Sequence, residues 1–452
     1  MSLTRRTALK GLGALAGTAA ASRLLPGCGT SPPSTMVFMM MENRTYDHFL
    51  GSRSLLEGLP GDGLTVGTSN PDRAGRAVGL SVPPVTPAGL CVLDPPHDWD
   101  ASRVQWNGGA NDGFVRAFQA THPGTSGDVV MQYMTREHLP VYYALADAYT
   151  TCDRWFASVL GPTLPNRLFW FAAQSNGARN NDEVIAGAFM NLPSIFDRLD
   201  AGGVDWAYYY GDFNVVGFLP KFVGDNRCKE FAKEFAKDAR AGKLPAVVFI
   251  DPSFTYNDYH PPHYPLVAEQ LIAAAYTALA TSPQWEESLL VITFDEHGGF
   301  HDHVPPPTAA DERASLGFDQ LGFRVPGLVI GPRVRKGYVC SERYDHTSAL
   351  RHIQNRFGLP PLTMRDAAAT DLSACLVPDA APSQPITLPA VEVDESMLGD
   401  CSGKAFADHV IIDWAAHMGV DVARRSRAAL DGVYAIADYL DHHGLGRIRR
   451  GR

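Results

Sequence analysis

Two pairs of oxygen-bearing side chains, Glu42-Asn43 and Asp295-Glu296, lie far apart in the chain but in the same kind of setting. Each directly follows a short apolar run, Val37–Met41 or Leu289–Phe294, of the sort that forms a buried strand. Hard oxygen donors brought to neighbouring strand ends can converge on one divalent cation, and a nearby histidine would also admit a transition metal. Ca²⁺, Mg²⁺, Mn²⁺, Fe and Zn²⁺ are all compatible with such a set. A third segment, Gly161-Pro162-Thr163-Leu164-Pro165-Asn166-Arg167, places a hydroxyl at an N-cap-like position before a helical run over 166–174. Free N–H groups there favour an anion, and Arg167 can fork onto phosphate oxygens. Taken alone, Thr163 is better explained as a simple helix cap. Histidines in polar loops complete the inventory: His97, His260, His263, His297, His301, His303 and His346. Imidazoles beside Asp, Pro and Gly suit phosphate contact or general acid work.

These groups need a scaffold that gathers strand ends. Apolar runs without alternation recur at 37–41, 246–250, 289–294 and 325–330. Strands buried on both faces point to a mainly parallel sheet covered by helices, a three-layer α/β/α fold. Helical periodicity is expected over Tyr264–Thr281 and Thr347–Phe357. The Pro/Ala-rich stretch 377–395 reads as a linker from a catalytic domain over 36–376 to a C-terminal helical segment over 396–452. The basic tail beyond Gly446 reads as mobile.

Asp+Glu outnumber Lys+Arg by 49 to 39, a net charge of −10, which disfavours sequence-independent binding to nucleic acid. The N-terminus carries Arg5-Arg6, then an Ala/Gly/Leu-rich stretch and small residues, the pattern of a signal peptide over 1–27. The arginine pair points to the twin-arginine translocase. Leu25-Pro26-Gly27-Cys28 resembles a lipoprotein processing box, in which Cys28 would be lipidated, although Pro26 is atypical there. The expected location is periplasmic, secreted or lipid-anchored at the cell surface, with membrane association through that lipid. Six further cysteines, Cys91, Cys152, Cys228, Cys340, Cys375 and Cys401, allow up to three disulfides in an exported chain.

Three long motifs, Glu42–His48, Gly161–Arg167 and Asp295–Pro307, occur together with Pro96–Trp99, Asp258–Pro262 and Asp345–Ser348. In this order they resemble the bacterial phospholipase C / acid phosphatase phosphoesterase family, related to the alkaline phosphatase superfamily. The resemblance spans roughly residues 36–358. It implies phosphoryl transfer through a phosphothreonine intermediate, with Thr163 as nucleophile and Glu42, Asn43, Asp295 and Glu296 around one metal ion. It also implies that His97 and His260 contact phosphate or protonate the leaving group, with His297, His303 and His346 as additional site residues. His301 stands where the family commonly has Tyr. The substrate would be a phosphate monoester or a phospholipid headgroup ester. The short C-terminal segment, where phospholipase members often carry extra domains, favours the monoester.

Other activities lack their signatures. No Gly-x-x-x-x-Gly-Lys-[Ser/Thr] loop, Gly-x-Ser-x-Gly elbow or His-Glu-x-x-His pair occurs, which removes P-loop motors, serine esterases of the usual kind and zincin proteases. A sulfatase would need a modifiable Cys or Ser where Thr163 stands. A surface protein that binds phosphate or lipid headgroups without turnover is the competing class.

Overall fold

The computed structural model describes residues 33–188, 192–400 and 409–450. Residues 1–27, Cys28 and Cys401 lie outside the described residues. At the centre is an eight-stranded sheet in the order Tyr338–Cys340, Thr150–Cys152, Gly327–Ile330, Ser288–Phe294, Thr35–Met41, Val247–Asp251, Trp206–Tyr210, Cys228–Glu230. The three central strands, 288–294, 35–41 and 247–251, run parallel, with Met36 level with Val247 and Leu289. All their residues are buried, as their unbroken apolar character requires.

The run 325–330 behaves differently from the expectation of parallel pairing. Its strand, Gly327–Ile330, lies antiparallel to both 288–294 and 150–152. Composition reports burial on both faces and carries no strand direction, so this reversal is invisible in the sequence. The sheet is therefore mixed, though mainly parallel.

Alternation along the strands divides the core into two faces. Phe38 and Phe249 meet Trp170 and Phe171 of the helix Thr163–Ala172 on one face. Phe294 meets Phe49 and Tyr142, on the helices Tyr46–Glu57 and Pro140–Ala148, on the other. The helix His346–Phe357 packs on Thr163–Ala172, and Pro265–Ala280 packs on Pro140–Ala148. Three layers result. Both expected helices are present, each within a residue of its expected ends.

The C-terminal region is more closely integrated than a tethered segment. The stretch expected as a linker ends in a strand, Val391–Asp394, which pairs in parallel with Gly446–Arg449. The basic tail is thus partly strand, and its expected mobility is corrected. The helix Val422–His442 packs on Pro265–Ala280, and Trp414 of the helix Val410–His417 stacks edge-on to Phe218 at 4.8 Å. Residues 31–452 form one compact unit.

The expectation of up to three disulfides is also corrected. Cys152, Cys228, Cys340 and Cys375 are free thiols. That leaves at most one bridge: Cys91 carries no free thiol, and Cys401 is outside the described residues. No helix among the described residues is long and apolar enough to cross a membrane.

Candidate active site

Because the strands 288–294, 35–41 and 247–251 are parallel neighbours, their carboxyl ends share one edge of the sheet, where ligands of open α/β sheets gather. Glu42 follows one strand, Asp295 and Glu296 another, and Asp251 closes the third. The chain is bent tightly here. Asn43 adopts a left-handed backbone with φ 59°, and Gly298 a φ of 62°, where an added Cβ would collide with the Asn43 carbonyl. Only glycine allows that approach. The Asn43 N–H donates to Asp295 Oδ1 at 3.1 Å, and Arg44 N–H donates to the Glu296 carbonyl at 3.0 Å. The two sequence pairs are thereby stitched into one cluster.

Thr163 is the first residue of its helix, after Pro162 in the cap position, so the hydroxyl sits at the positive end of the helix dipole. Its Oγ1 donates to Glu42 Oε2 at 3.3 Å. One turn later, Arg167 lies on the same helix face. It is about 1% exposed and meets Glu42 Oε1 at 2.6 Å, Asp251 Oδ1 at 2.9 Å and Asp295 Oδ2 at 3.6 Å. The sequence reading gave Arg167 to phosphate. The structure gives its donors to carboxylates beneath the site, where it positions Glu42.

Three buried oxygens of the cluster have no hydrogen-bond partner: Asn43 Oδ1, Asp295 Oδ2 and Glu296 Oε1. Unpartnered acceptors in a dry pocket are costly unless a cation meets them. Together with Glu42, these residues would offer an oxygen-rich donor set to a hard divalent ion. Burial, reinforced by Asp295 and only partly offset by Arg167, pushes the Glu42 carboxyl well above the ordinary range. Burial and the neighbouring Glu296 raise Asp295 to about 6, even against Arg167. Burial would also raise Glu296, but His97 and His297 outweigh it and hold the group low.

An arc of imidazoles faces this ring. His97 and His260 lie 5.7 Å apart between ring centres. Their Nδ1 atoms each meet a backbone carbonyl, Pro95 O and Pro261 O respectively, at 2.7 Å. Both Nε2 atoms are left for the cleft, His97 Nε2 standing 3.4 Å from Asn43 Nδ2 and 3.8 Å from Glu296 Oε1. Burial alone would lower His97, yet Glu296 and Asp94 raise it to about 9. Burial and the adjacent His409 drive His260 well below its ordinary value. The side chains of Asp94 and His97, at the edge of the cluster, are 40% and 14% exposed, whereas the ring residues are fully buried.

The remaining histidines support the site or lie beyond it. His346 meets the Asp295 carbonyl through Nε2 at 2.6 Å. His297 bridges Glu296 Oε2, at 2.9 Å, and Gln105 Oε1, at 2.7 Å, so it orients a ring carboxylate. His263 meets Asp258 Oδ1 at 2.6 Å. His303 joins a separate network in which Arg324 pairs with both Asp47 and Asp302 at 2.9 Å, and the structure does not bring it to the ring. His301 packs on Phe114 with ring centres 5.2 Å apart, away from the chemistry, in keeping with the altered residue type there.

Sequence reasoning missed Asp251, Asp258 and His409. The first two stood in view, at a strand end and inside Asp258–Pro262. His409 sits outside every motif and carried no signal at all.

The Phosphoesterase family profile matches residues 34–360. The chain belongs to the Phosphoesterase family. It is 30% identical to Phospholipase C A of Mycobacterium tuberculosis over 400 residues, covering 75% of this chain and 76% of that protein. It is 32% identical to Non-specific phospholipase C6 of Arabidopsis thaliana over 398 residues, covering 80% of this chain and 76% of that one. A solved alkaline phosphatase superfamily protein from Vibrio parahaemolyticus aligns over 86% of this chain and 90% of its own, at 11% identity and a TM-score of 0.39. This phosphoesterase is a phosphoric ester hydrolase.

The raised carboxyls predict how metal and pH interact. Without a cation, Glu42 and Asp295 favour their protonated forms in the fold. The Asp295 contribution to stability is then full below the ordinary carboxylate range and is lost as pH rises through about 6, and that of Glu42 is lost in the same direction. A divalent ion binds the deprotonated ring and reverses the penalty. The rise in Tm on adding metal to chelator-stripped phosphoesterase is expected to grow between about pH 5 and about pH 7. Equal shifts across that window would contradict the assignment of the ring.

Proposed function

We propose that this phosphoesterase is an exported enzyme of the phospholipase C type that cleaves a phosphodiester through a phosphothreonine at Thr163. The observation that supports it most is the 3.3 Å contact of Thr163 Oγ1 with Glu42, within a ring whose other oxygens await a cation. Glu42, Asn43, Asp295 and Glu296 would hold one divalent ion, which supplies Lewis acidity and neutralises charge at the reacting oxygens. Its identity is left to experiment.

Thr163 directs its proton to Glu42 Oε2, which turns an oxygen lone pair toward the cleft. Glu42 Oε2 takes that proton as the oxygen attacks phosphorus, the P–O bond to the leaving alcohol breaks, and the leaving oxygen takes a proton from an imidazole. His97 is suited to give that proton, with Nδ1 held by the Pro95 carbonyl and Nε2 facing the cleft. His260 is suited to the second half: neutral, with Nδ1 committed to Pro261 O, it presents Nε2 as an acceptor for the proton of the attacking water. Water attack at phosphorus then breaks the P–O bond to Thr163, and Glu42 returns the proton that restores the hydroxyl. Arg167 acts through Glu42, as a positioning residue.

The relatives' names support a phospholipid diester over the monoester favoured by chain length, since these alignments already reach across three quarters of proteins named phospholipase C. The N-terminal Arg5-Arg6 and Cys28 support export by the twin-arginine translocase, with lipid-mediated membrane association.

Hydrolysis of p-nitrophenyl phosphorylcholine should exceed that of p-nitrophenyl phosphate. Thr163→Ala should lower kcat by about 10⁴-fold or more, with Thr163→Ser retaining part of it. Turnover undiminished in Thr163→Ala would remove the nucleophile, and monoester preference would reassign the substrate. A phosphate binder would turn over neither ester. For export, intact mass of protein recovered from the producing cell's envelope should show loss of residues 1–27 and a lipid on Cys28; an unprocessed chain would refute it.

A further inference from the structure

His409 lies outside the residues matched by the family profile, on the C-terminal region that packs against the catalytic layers. It is nevertheless in the site. Its ring lies 4.7 Å from that of His260, and its Nε2 is 3.9 Å from Glu42 Oε2, the same atom that accepts from Thr163. The residue is about 2% exposed. Nε2 approaches Asp258 Oδ2 to 3.2 Å, yet neither atom completes a hydrogen bond. The Nε2 hydrogen thus has only an off-line contact with the Asp258 carboxylate, which leaves it free to be shared with a ligand in the cleft.

The backbone decides what kind of ligand. His409 caps the helix Val410–His417, its Nδ1 accepting from the Ile411 N–H at 3.2 Å. An Nδ1 that accepts carries no hydrogen, so the neutral ring bears its proton on Nε2. His97 and His260 are arranged the other way, with Nδ1 against carbonyl oxygens. Two imidazoles of the arc thus present a lone pair to the cleft when neutral, and the third presents a hydrogen. Glu42, His260 and His409 stand close enough to face one ion, but His409 would have to abandon its helix cap to offer it a lone pair.

We propose that His409 donates from Nε2 to a non-bridging phosphoryl oxygen of the bound ester, on the side of the ring nearest Thr163. This deepens the reading of the site given above and rests on a phosphoryl group occupying it. Charge on the equatorial oxygens grows during transfer, and a fixed donor there stabilises it without reorganising. The C-terminal region thereby completes a site whose other groups come from within residues 34–360.

The test uses the full phosphoesterase saturated with whichever of Ca²⁺, Mg²⁺, Mn²⁺ or Zn²⁺ binds most tightly, titrated with inorganic phosphate. His409→Asn keeps an N-cap acceptor but withdraws the donor from the cleft. It should retain the wild-type Tm and metal content while binding phosphate about 10- to 100-fold more weakly. His409→Ala should show the same loss of affinity with a lower Tm. Wild-type phosphate affinity in a folded His409→Asn variant would overturn the proposal alone. Absence of phosphate binding by the wild type would overturn the site reading together with it. Independently of metal and turnover, NMR of isotope-labelled histidine should report the Nε2–H tautomer for the resonance lost in His409→Asn. The Nδ1–H tautomer, or a second bound metal lost with His409, would also overturn it.

Discussion

Charge balance in a dry pocket governs this molecule. Five carboxylates, Glu42, Asp251, Asp258, Asp295 and Glu296, are buried where three parallel strands end, each no more than about 1% exposed. Two buried guanidinium groups, Arg44 and Arg167, lie among them. An uncompensated buried charge is expensive enough that a group gives up its ionisation instead, which is the state toward which Glu42 and Asp295 are pushed. A divalent ion at the oxygens without hydrogen bonds would offset that penalty. The same arrangement makes the site selective for events that bring positive charge in, or spread negative charge onto prepared donors.

The rest of the architecture follows from holding that cluster. Parallel pairing brings the strand ends level, and the glycine at 298 lets two strand-end loops close on each other. The helix that starts at Thr163 delivers a hydroxyl from its first residue and, one turn on, a guanidinium to the carboxylates below. Hydroxyl and counterion thus share a single rigid element, so the position of one fixes the position of the other. His297 and His346 brace the ring from behind, and His97, His260 and His409 face it from the cleft side.

Much of this was legible in the sequence, and the gaps have physical reasons. The ring residues could be read because polar pairs after apolar runs mark the ends of buried strands, and the motifs around them are specific. Arg167 could be found but not placed: spacing says that it shares a helix face with Thr163, and says nothing of its depth. The reversed strand 327–330 was unreadable because a run buried on both faces has no direction in its composition. His409 was unreadable for another cause. It reaches the site by tertiary packing of a distant helix start, and a lone histidine after a Pro/Ala-rich stretch has no local signature. The expected mobile tail failed for the same reason, since its pairing partner at 391–394 lies far from it in sequence.

One cation, bound by side chains from both strand-end loops, would sit against the Thr163 hydroxyl. Anomalous diffraction from a crystal of the metal-loaded phosphoesterase tests it directly. The account predicts a single strong peak within coordination distance of Glu42, Asn43, Asp295 and Glu296 and adjacent to Thr163 Oγ1. A peak at Asp47, Asp302 and His303 instead, or an empty ring in a crystal of active enzyme, would contradict it.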